Sequence, residues 1–315
     1  MRDEQDNMEQ LRALYQEKNE HLEKFLEPVT PFEFYREIFP VGSFERKGHF
    51  EDAKGNGIAV TVPKAAGIAL EIQEEGKAKR YTITDELSEL SEVYDTDFTI
   101  MSPLSYFGRR RCGKNARYLY ALVFDLDGVG MPQLRDTLHQ MNKDILPQAT
   151  FVVNSGTGLH LYYVLEEPIP MYPHNQKCLK ELKYSLTRQI WNRYTSTIKE
   201  PQMQGILQGF RVVGSGSKLG REYPVTAYRL GGKVTLEKLL SLSRIATGSS
   251  KSSWDSCGKV GSRWPRRRRS TRIGMSGGLS RKSGGAAGRS SVTFMTGGCA
   301  GSGMRSGWAI GSMAL

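Results

Sequence analysis

Long apolar runs are missing from this chain. None of its 315 residues lies in a stretch approaching the ~20 consecutive apolar residues of a membrane span. The opening, Met1 to Lys24, is a charged helical segment unlike a signal peptide, so a cytoplasmic location without a membrane partner is expected. Cysteine is scarce as well. Cys112, Cys178, Cys257 and Cys299 stand singly, with no CxxC pair for zinc and no disulfide framework. Aspartate is absent between Asp144 and Asp255. Net charge is absent from the first 246 residues. Residues 247–315 hold 12 Lys/Arg and one acid, and subtracting them from the chain's 44 basic and 33 acidic residues leaves 32 of each. The net charge of +11 therefore belongs to the tail, and the global balance is no argument for nucleic-acid binding by the body.

What is present in the tail is unusual. It carries 15 Gly, 15 Ser and three of the four Trp, with almost no apolar periodicity, and is expected to be disordered. Arg263–Ser283 can be back-translated so that the frame starting on each third base reads LAEAKEKYPDWYERRIVQKE, an amphipathic helix leading into an ordinary globular segment. Val292–Gly301 reads DFYDWWLRR in the same offset, where Met295–Thr296 forces the second Asp. The segment 243–315 is accordingly read as a frameshift product. Its alternative is a basic disordered arm that touches phosphates through Arg266–Arg269.

Upstream, residues 3–26 have helical periodicity with Leu11, Leu14, Leu22 and Phe25 on one side, and Thr30–Pro31 opens a second helix over 31–39. Short strands at 58–62, 68–72 and 80–84 suggest a small sheet, giving an N-terminal helical and small-sheet segment over 1–94. From there to 242 the pattern reads strand Tyr118–Phe124, helix Met131–Ile145, strand Thr150–Val153, strand Leu159–Leu165, helix Asn175–Ile198 and strand Phe210–Val213. That β-α-β-β-α-β order is the split unit of an RRM or ferredoxin-like sheet. A strand at 225–230 and a helix at 234–240 follow. The expected class is α/β in the α+β sense, a palm-like sheet over 95–242.

Three segments carry residues suited to chemistry. FDLDG ends the first palm strand, and alternation puts Asp125 and Asp127 on one side of it. Paired carboxylates supply hard oxygen ligands for a divalent cation, and their mutual repulsion disfavours leaving them without one. Alone, such a pair reads better as a solvated strand end or a cap for the next helix. NSGTGLH joins the next two strands; its glycines allow a ligand to approach the backbone, and Ser155 and His160 flank the turn. A histidine between Leu159 and Leu161 is by itself an ordinary core residue. QGFRVVGSGSK places Arg211 and Lys218 around a Gly/Ser turn whose N–H groups can line an anion site. Before the acidic strand, YFGRRR mixes aromatics with Arg109, Arg110 and Arg111, fitting either a template backbone contact or a solvated loop.

Taken in order, FDLDG, SGTGLHLYY and FRVVGSGSK resemble motifs I to III of the archaeo-eukaryotic primase superfamily, in particular the primase-polymerase domains of replication proteins of bacterial plasmids and integrative elements. The resemblance spans about 95–240. It implies a DNA primase/polymerase that carries out template-directed nucleotidyl transfer in replicating a mobile element. Asp125 and Asp127 would hold catalytic Mg²⁺ or Mn²⁺, while Ser155, His160, Arg211 and Lys218 would contact the nucleotide. The implied partners are a single-stranded DNA template met by Arg109, Arg110 and Arg111, an NTP or dNTP, and a replicative helicase. One departure stands out: the family's third motif supplies another metal-site carboxylate, and here Glu200 is the nearest acid before the Arg211 strand, so the role falls to it.

Two other readings remain. FDLDGV is similar to the first motif of haloacid-dehalogenase-type phosphatases, with Ser155 as that family's second motif, although the missing late acidic pair and the strand after SGTG count against it. The chain also fits a non-catalytic RRM-like nucleic-acid-binding module, or a fragment of a decayed replication protein.

Overall fold

The computed structural model describes residues 2–44, 49–50, 60–61, 65–73, 76–107 and 110–243. The 243–315 tail thus lies outside the described residues save for Ser243, as do Arg109 and most of the expected 58–62 strand. The chain opens with α1 (Arg2–Phe25), β1 (Glu27–Val29) and α2 (Pro31–Ile38), then β2 (His49–Phe50), β3 (Val60–Thr61), β4 (Ala65–Ile72) and β5 (Ala78–Ile83). A short α3 (Ser91–Tyr94) precedes β6 (Thr99–Met101), β7 (Leu104–Phe107) and β8 (Ala116–Leu126). Next come α4 (Met131–Asn142), β9 (Phe151–Asn154), β10 (Leu159–Pro170) and α5 (Pro173–Ile190). The last elements are β11 (Phe210–Arg211), β12 (Gly216–Ser217), β13 (Gly220–Pro224), β14 (Thr226–Arg229) and α6 (Leu236–Leu242). No helix among the described residues is long and apolar enough to cross a membrane.

Local chemistry explains where these elements start and stop. Thr30 Oγ1 accepts from the Glu33 N–H at 3.3 Å while the Glu33 carboxylate accepts from the Thr30 N–H at 3.1 Å. With Pro31 at the first turn, this reciprocal cap opens α2 and is worth about 1 kcal/mol. The helix expected to run to Ile198 stops at Ile190. Asn192 diverts the chain there: its N–H donates to Thr195 Oγ1 and its Oδ1 accepts from the Tyr194 N–H, a side-chain turn that competes with helix continuation. Phe25, placed by periodicity on the apolar stripe of α1, is 69% exposed, whereas Leu22 of that stripe is buried together with Tyr15 and Lys18.

One antiparallel sheet dominates, in the order β1-β14-β9-β10-β8-β7-β4-β6-β11, with β5 paired to β4. The run β9-β10-β8 is the strand arrangement of the split unit, β10 lying between and antiparallel to both neighbours. Two expectations need correction. The strand at Phe210 does not close that unit: it is two residues long and pairs with β6, at Phe210↔Met101 and Arg211↔Ile100. Gly214, at φ +93°, soon turns the chain away. Nor do the three expected N-terminal strands make one sheet of their own: β3 pairs with β2 in a separate two-stranded sheet, while β4, paired with β5, joins the main sheet through Ala65 and Ala66, opposite Phe107 and Tyr106 of β7. That pairing continues the main sheet, which gives β7's edge a partner instead of leaving it open.

Both faces of the central strands are covered, which is why β8 and β10 read as nearly unbroken apolar runs. Leu122, Phe124 and Leu126 of β8 and Leu159, Leu161 and Tyr163 of β10 pack with Leu22 of α1, Leu134 of α4 and Leu182 of α5. Val123 of β8 and Tyr162 and Val164 of β10 face the other way, toward Phe34, Tyr35 and Ile38 of α2. Strand alternation assigns Asp125 and His160 to this second face, one pair short of the end of the β8–β10 register.

Candidate active site

The register of the sheet puts the two most informative residues opposite each other. Asp125 on β8 is the direct partner of His160 on β10, and His160 Nε2 stands 3.4 Å from Asp125 Oδ1. His160 lies edge-on to Phe210, with ring centroids 5.5 Å apart. Burial, joined by the charges of Arg211 and Lys218, pushes the imidazole pKa down to about 3, against the opposing pull of Asp127. It is neutral at ordinary pH, and its buried Nδ1 has no hydrogen-bond partner.

Asp125 has the opposite problem. Burial raises its pKa to about 6, although Lys218, Lys183 and Arg211 all pull it down. Asp127, just past the strand end, is raised by burial and then by the neighbouring Asp125 charge. Two carboxylates are thus held together in a half-enclosed site that does not fully neutralise them. The backbone permits this closeness at one point: a Cβ on Gly158 would lie 2.5 Å from the Leu126 carbonyl oxygen and 3.4 Å from Asp127 Oδ1. Beyond Asp127, Ser196 Oγ donates to the Asp127 carbonyl at 2.6 Å, and Thr197 holds the Gly128 carbonyl through its N–H and hydroxyl.

Arg211 is partly a structural residue. One of its guanidinium nitrogens donates to the Gly216 carbonyl at 3.1 Å, and the group stacks 4.1 Å from the centre of the Phe98 ring. Burial lowers its pKa to about 10, with Asp125 opposing, so it remains a cation. Lys218 is exposed in the turn after β12, and its charge reaches Asp125, Asp127 and His160. Asp125, Asp127, His160, Arg211 and Lys218 are therefore brought together from three separate segments.

The other expected residues stand elsewhere. Ser155 is buried in the turn between β9 and β10, its N–H reaching the Gly158 carbonyl at 3.4 Å. Glu200 is exposed and is not among the charges that shift Asp125 or Asp127. Among the described residues no group of three His, Cys, Asp or Glu could hold a metal ion. Arg110 is exposed on the loop after β7, whereas a Cβ on Gly209 would run into the Arg111 guanidinium, which packs just before β11.

Two residues with no assigned role complete the centre. Gln204 holds the backbone of Asp125 from both sides: its Oε1 accepts from the Asp125 N–H at 3.2 Å and its Nε2 donates to the Asp125 carbonyl at 3.1 Å. A side-chain amide thus supplies, at this one residue, the paired hydrogen bonds a neighbouring strand would make. Lys183 of α5 is fully enclosed, donates to the Gly205 carbonyl at 3.2 Å and lies 5.2 Å from the Phe210 ring centre. Burial lowers its pKa to about 7 against the pull of Asp125. The sequence carries a signal for it, because Lys183 interrupts the apolar stripe of Leu179, Leu182, Leu186 and Ile190. Nothing local marks Gln204.

Mg²⁺ and Mn²⁺ take oxygen ligands. Hard carboxylate oxygens at an only partly enclosed strand end suit such ions, which keep several waters and take their remaining ligands from substrate phosphates. Burial disfavours the ionised form of both carboxylates, a cost that a bound cation would offset. Among the described residues no third His, Cys, Asp or Glu joins the two carboxylates in a group that could hold a metal ion.

No family model matches the chain, and neither does any curated protein. Among solved structures, it is similar to the AEP domain (PP-N190) of the cyanophage S-2L primase-polymerase, at 12% identity and a TM-score of 0.40, over 56% of this chain and 88% of that one.

Proposed function

We propose that the centre carries out metal-dependent, template-directed nucleotidyl transfer of the primase-polymerase kind, on a single-stranded DNA template. The observation that supports this reading most is the pairing of Asp125 and Asp127, at the end of a central strand, with three cationic side chains and a neutral buried histidine. In the reaction, a 3′-hydroxyl oxygen gives its proton to water and bonds to the α-phosphorus of the incoming nucleotide. The bond from that phosphorus to the bridging oxygen breaks, and pyrophosphate leaves.

Asp125 and Asp127 would hold the divalent cation, which when bound offsets the charge that gathers on the attacking and leaving oxygens. Gln204 keeps the Asp125 main chain, and so the root of its carboxylate, in place. Arg211 and Lys218 would supply positive charge to the triphosphate. His160, being neutral, offers a hydrogen bond to a phosphate oxygen without adding charge. Positioning of this kind accounts for most of the catalysis in phosphoryl chemistry. The phosphatase alternative calls for a helix after Ser155; the chain instead enters β10, antiparallel to the acidic strand.

The test is incorporation of a labelled nucleotide on a single-stranded template with Mg²⁺ or Mn²⁺, beside phosphate release from an aryl phosphate. Wild-type chain should do the first and not the second. Asp125→Asn and Asp127→Asn should each lose at least about a hundredfold of the transfer rate, while melting no lower than wild type, because each removes one of two repelling buried charges. Full synthesis by both variants at saturating Mn²⁺ would refute the assignment.

A further inference from the structure

α1 lies far from the acidic pair in sequence, yet its buried face is bound to two loops next to the site. Lys18 is wholly enclosed and donates to the Gly156 carbonyl at 2.8 Å. Its neighbour Asn19 accepts at Oδ1 from Asn154 Nδ2 at 2.8 Å and from Thr226 Oγ1 at 2.9 Å. One turn earlier the Tyr15 carbonyl accepts from Asn154 Nδ2 at 3.2 Å, and the Tyr15 hydroxyl donates to the Pro224 carbonyl. Tyr15 also packs edge-on against Tyr223. Asn154 ends β9 and Gly156 lies in the turn carrying Ser155; Tyr223 and Pro224 belong to β13, the strand after the Lys218 turn, and Thr226 opens β14. The two loops touch, since a Cβ on Gly156 would lie 3.1 Å from Ser217 Oγ.

Lys18 is the costly member of this set. An ammonium removed from water is unfavourable unless it is paired, and burial is the single cause of its lowered pKa, with no carboxylate acting on it. A methionine would fill the same space without that cost. What the ammonium does, and a methionine cannot, is hold the Gly156 carbonyl toward α1. Gly156 sits at φ +106°, where an amino acid with a side chain is strained. In a planar trans peptide the carbonyl and the next N–H point in opposite directions. Drawing the Gly156 oxygen inward therefore turns the Thr157 N–H outward, away from the helix.

We propose that Lys18 is a positioning residue for nucleotide binding: through the Gly156 carbonyl it sets the pose of the 155–158 turn against the 217–218 turn, so that their outward N–H groups receive the triphosphate. The proposal rests on the nucleotidyl-transfer reading above, and it adds that the N-terminal helix determines nucleotide affinity.

The experiment measures binding of a fluorescent nucleoside triphosphate by anisotropy, with KM and kcat for incorporation alongside, in wild type, Lys18→Met and Leu22→Ala. Leu22 is buried on the same helix, and its truncation loosens α1 without removing a contact to Gly156. Lys18→Met should weaken nucleotide binding about tenfold, equivalent to about 1.4 kcal/mol, through KM with kcat nearly kept, and should melt at or above the wild-type temperature. Leu22→Ala should melt lower and keep wild-type affinity. Should Lys18→Met not fold, Asn19→Ala removes the helix's hold on Asn154 and Thr226 from a half-buried position and should raise the dissociation constant several-fold. Unchanged affinity in Lys18→Met, or in Asn19→Ala where that replaces it, overturns the proposal while the function stands. A wild-type chain that binds no nucleotide overturns both.

Discussion

Gly158→Ala is the smallest change that should separate the site from the fold. Gly158 has an ordinary backbone conformation, so the added methyl costs nothing in φ. Its cost comes from proximity: the new Cβ would sit 2.5 Å from the Leu126 carbonyl oxygen, a backbone atom that no rotamer change can move aside. Restoring van der Waals separation requires roughly 0.5–1 Å of relative movement between β10 and the end of β8. Overpacking of this kind costs about 1–3 kcal/mol, and at ~2–4 °C per kcal/mol for a domain of this size the melting temperature should fall by about 2–12 °C. The carboxylate of Asp127 starts one residue beyond the displaced carbonyl, and its Oδ1 is itself 3.4 Å from the new methyl. A misplacement approaching 1 Å is worth about a hundredfold in rate. Manganese binding followed by electron paramagnetic resonance, nucleotide incorporation and thermal melting would be measured together. Gly232→Ala, where nothing lies within 4 Å of the new methyl, is the matched control. A folded Gly158→Ala chain with wild-type Mn²⁺ affinity and wild-type incorporation would refute the claim that this contact places Asp127.

Three further outcomes are expected. His160→Ala should lower nucleotide-use efficiency about 10- to 1000-fold, and a lower melting temperature with unchanged kinetics would make it a core histidine instead. Gln204→Leu removes both hydrogen bonds to the Asp125 backbone and should cost about 1–3 kcal/mol in urea melts with weakened Mn²⁺ binding; wild-type Mn²⁺ affinity would show that the amide does not place the carboxylate. Lys18 binds its proton less tightly folded than unfolded, with a folded pKa of about 8. Between that value and the ordinary lysine range the unfolded chain holds more protons, so stability rises with pH. Wild type should therefore gain on Lys18→Met by about 1 kcal/mol per pH unit above pH 8, and a flat difference from pH 8 to 10 would contradict the burial of a charged amine.

Much of this molecule is written in local patterns. Apolar runs at β8 and β10, the Thr30–Pro31–Glu33 cap and the glycines around Ser155 are short-range signals, and the elements they announce lie within a few residues of where they were expected. The juxtaposition of Asp125 and His160 was also within reach, because one hairpin and one crossover suffice to set that register. What sequence could not decide was pairing over long distances. Phe210 joins β6 and not the central strands, β4 extends the main sheet, and Gln204, 79 positions after Asp125, takes up a backbone edge that no strand fills. Such partnerships depend on which edges remain open once the sheet has formed, and no periodicity encodes that. Lys18 and Lys183 fall between the two cases. Each breaks an apolar stripe and so is visible as an anomaly, but only the packed structure brings the Gly156 carbonyl to one ammonium and the Gly205 carbonyl to the other.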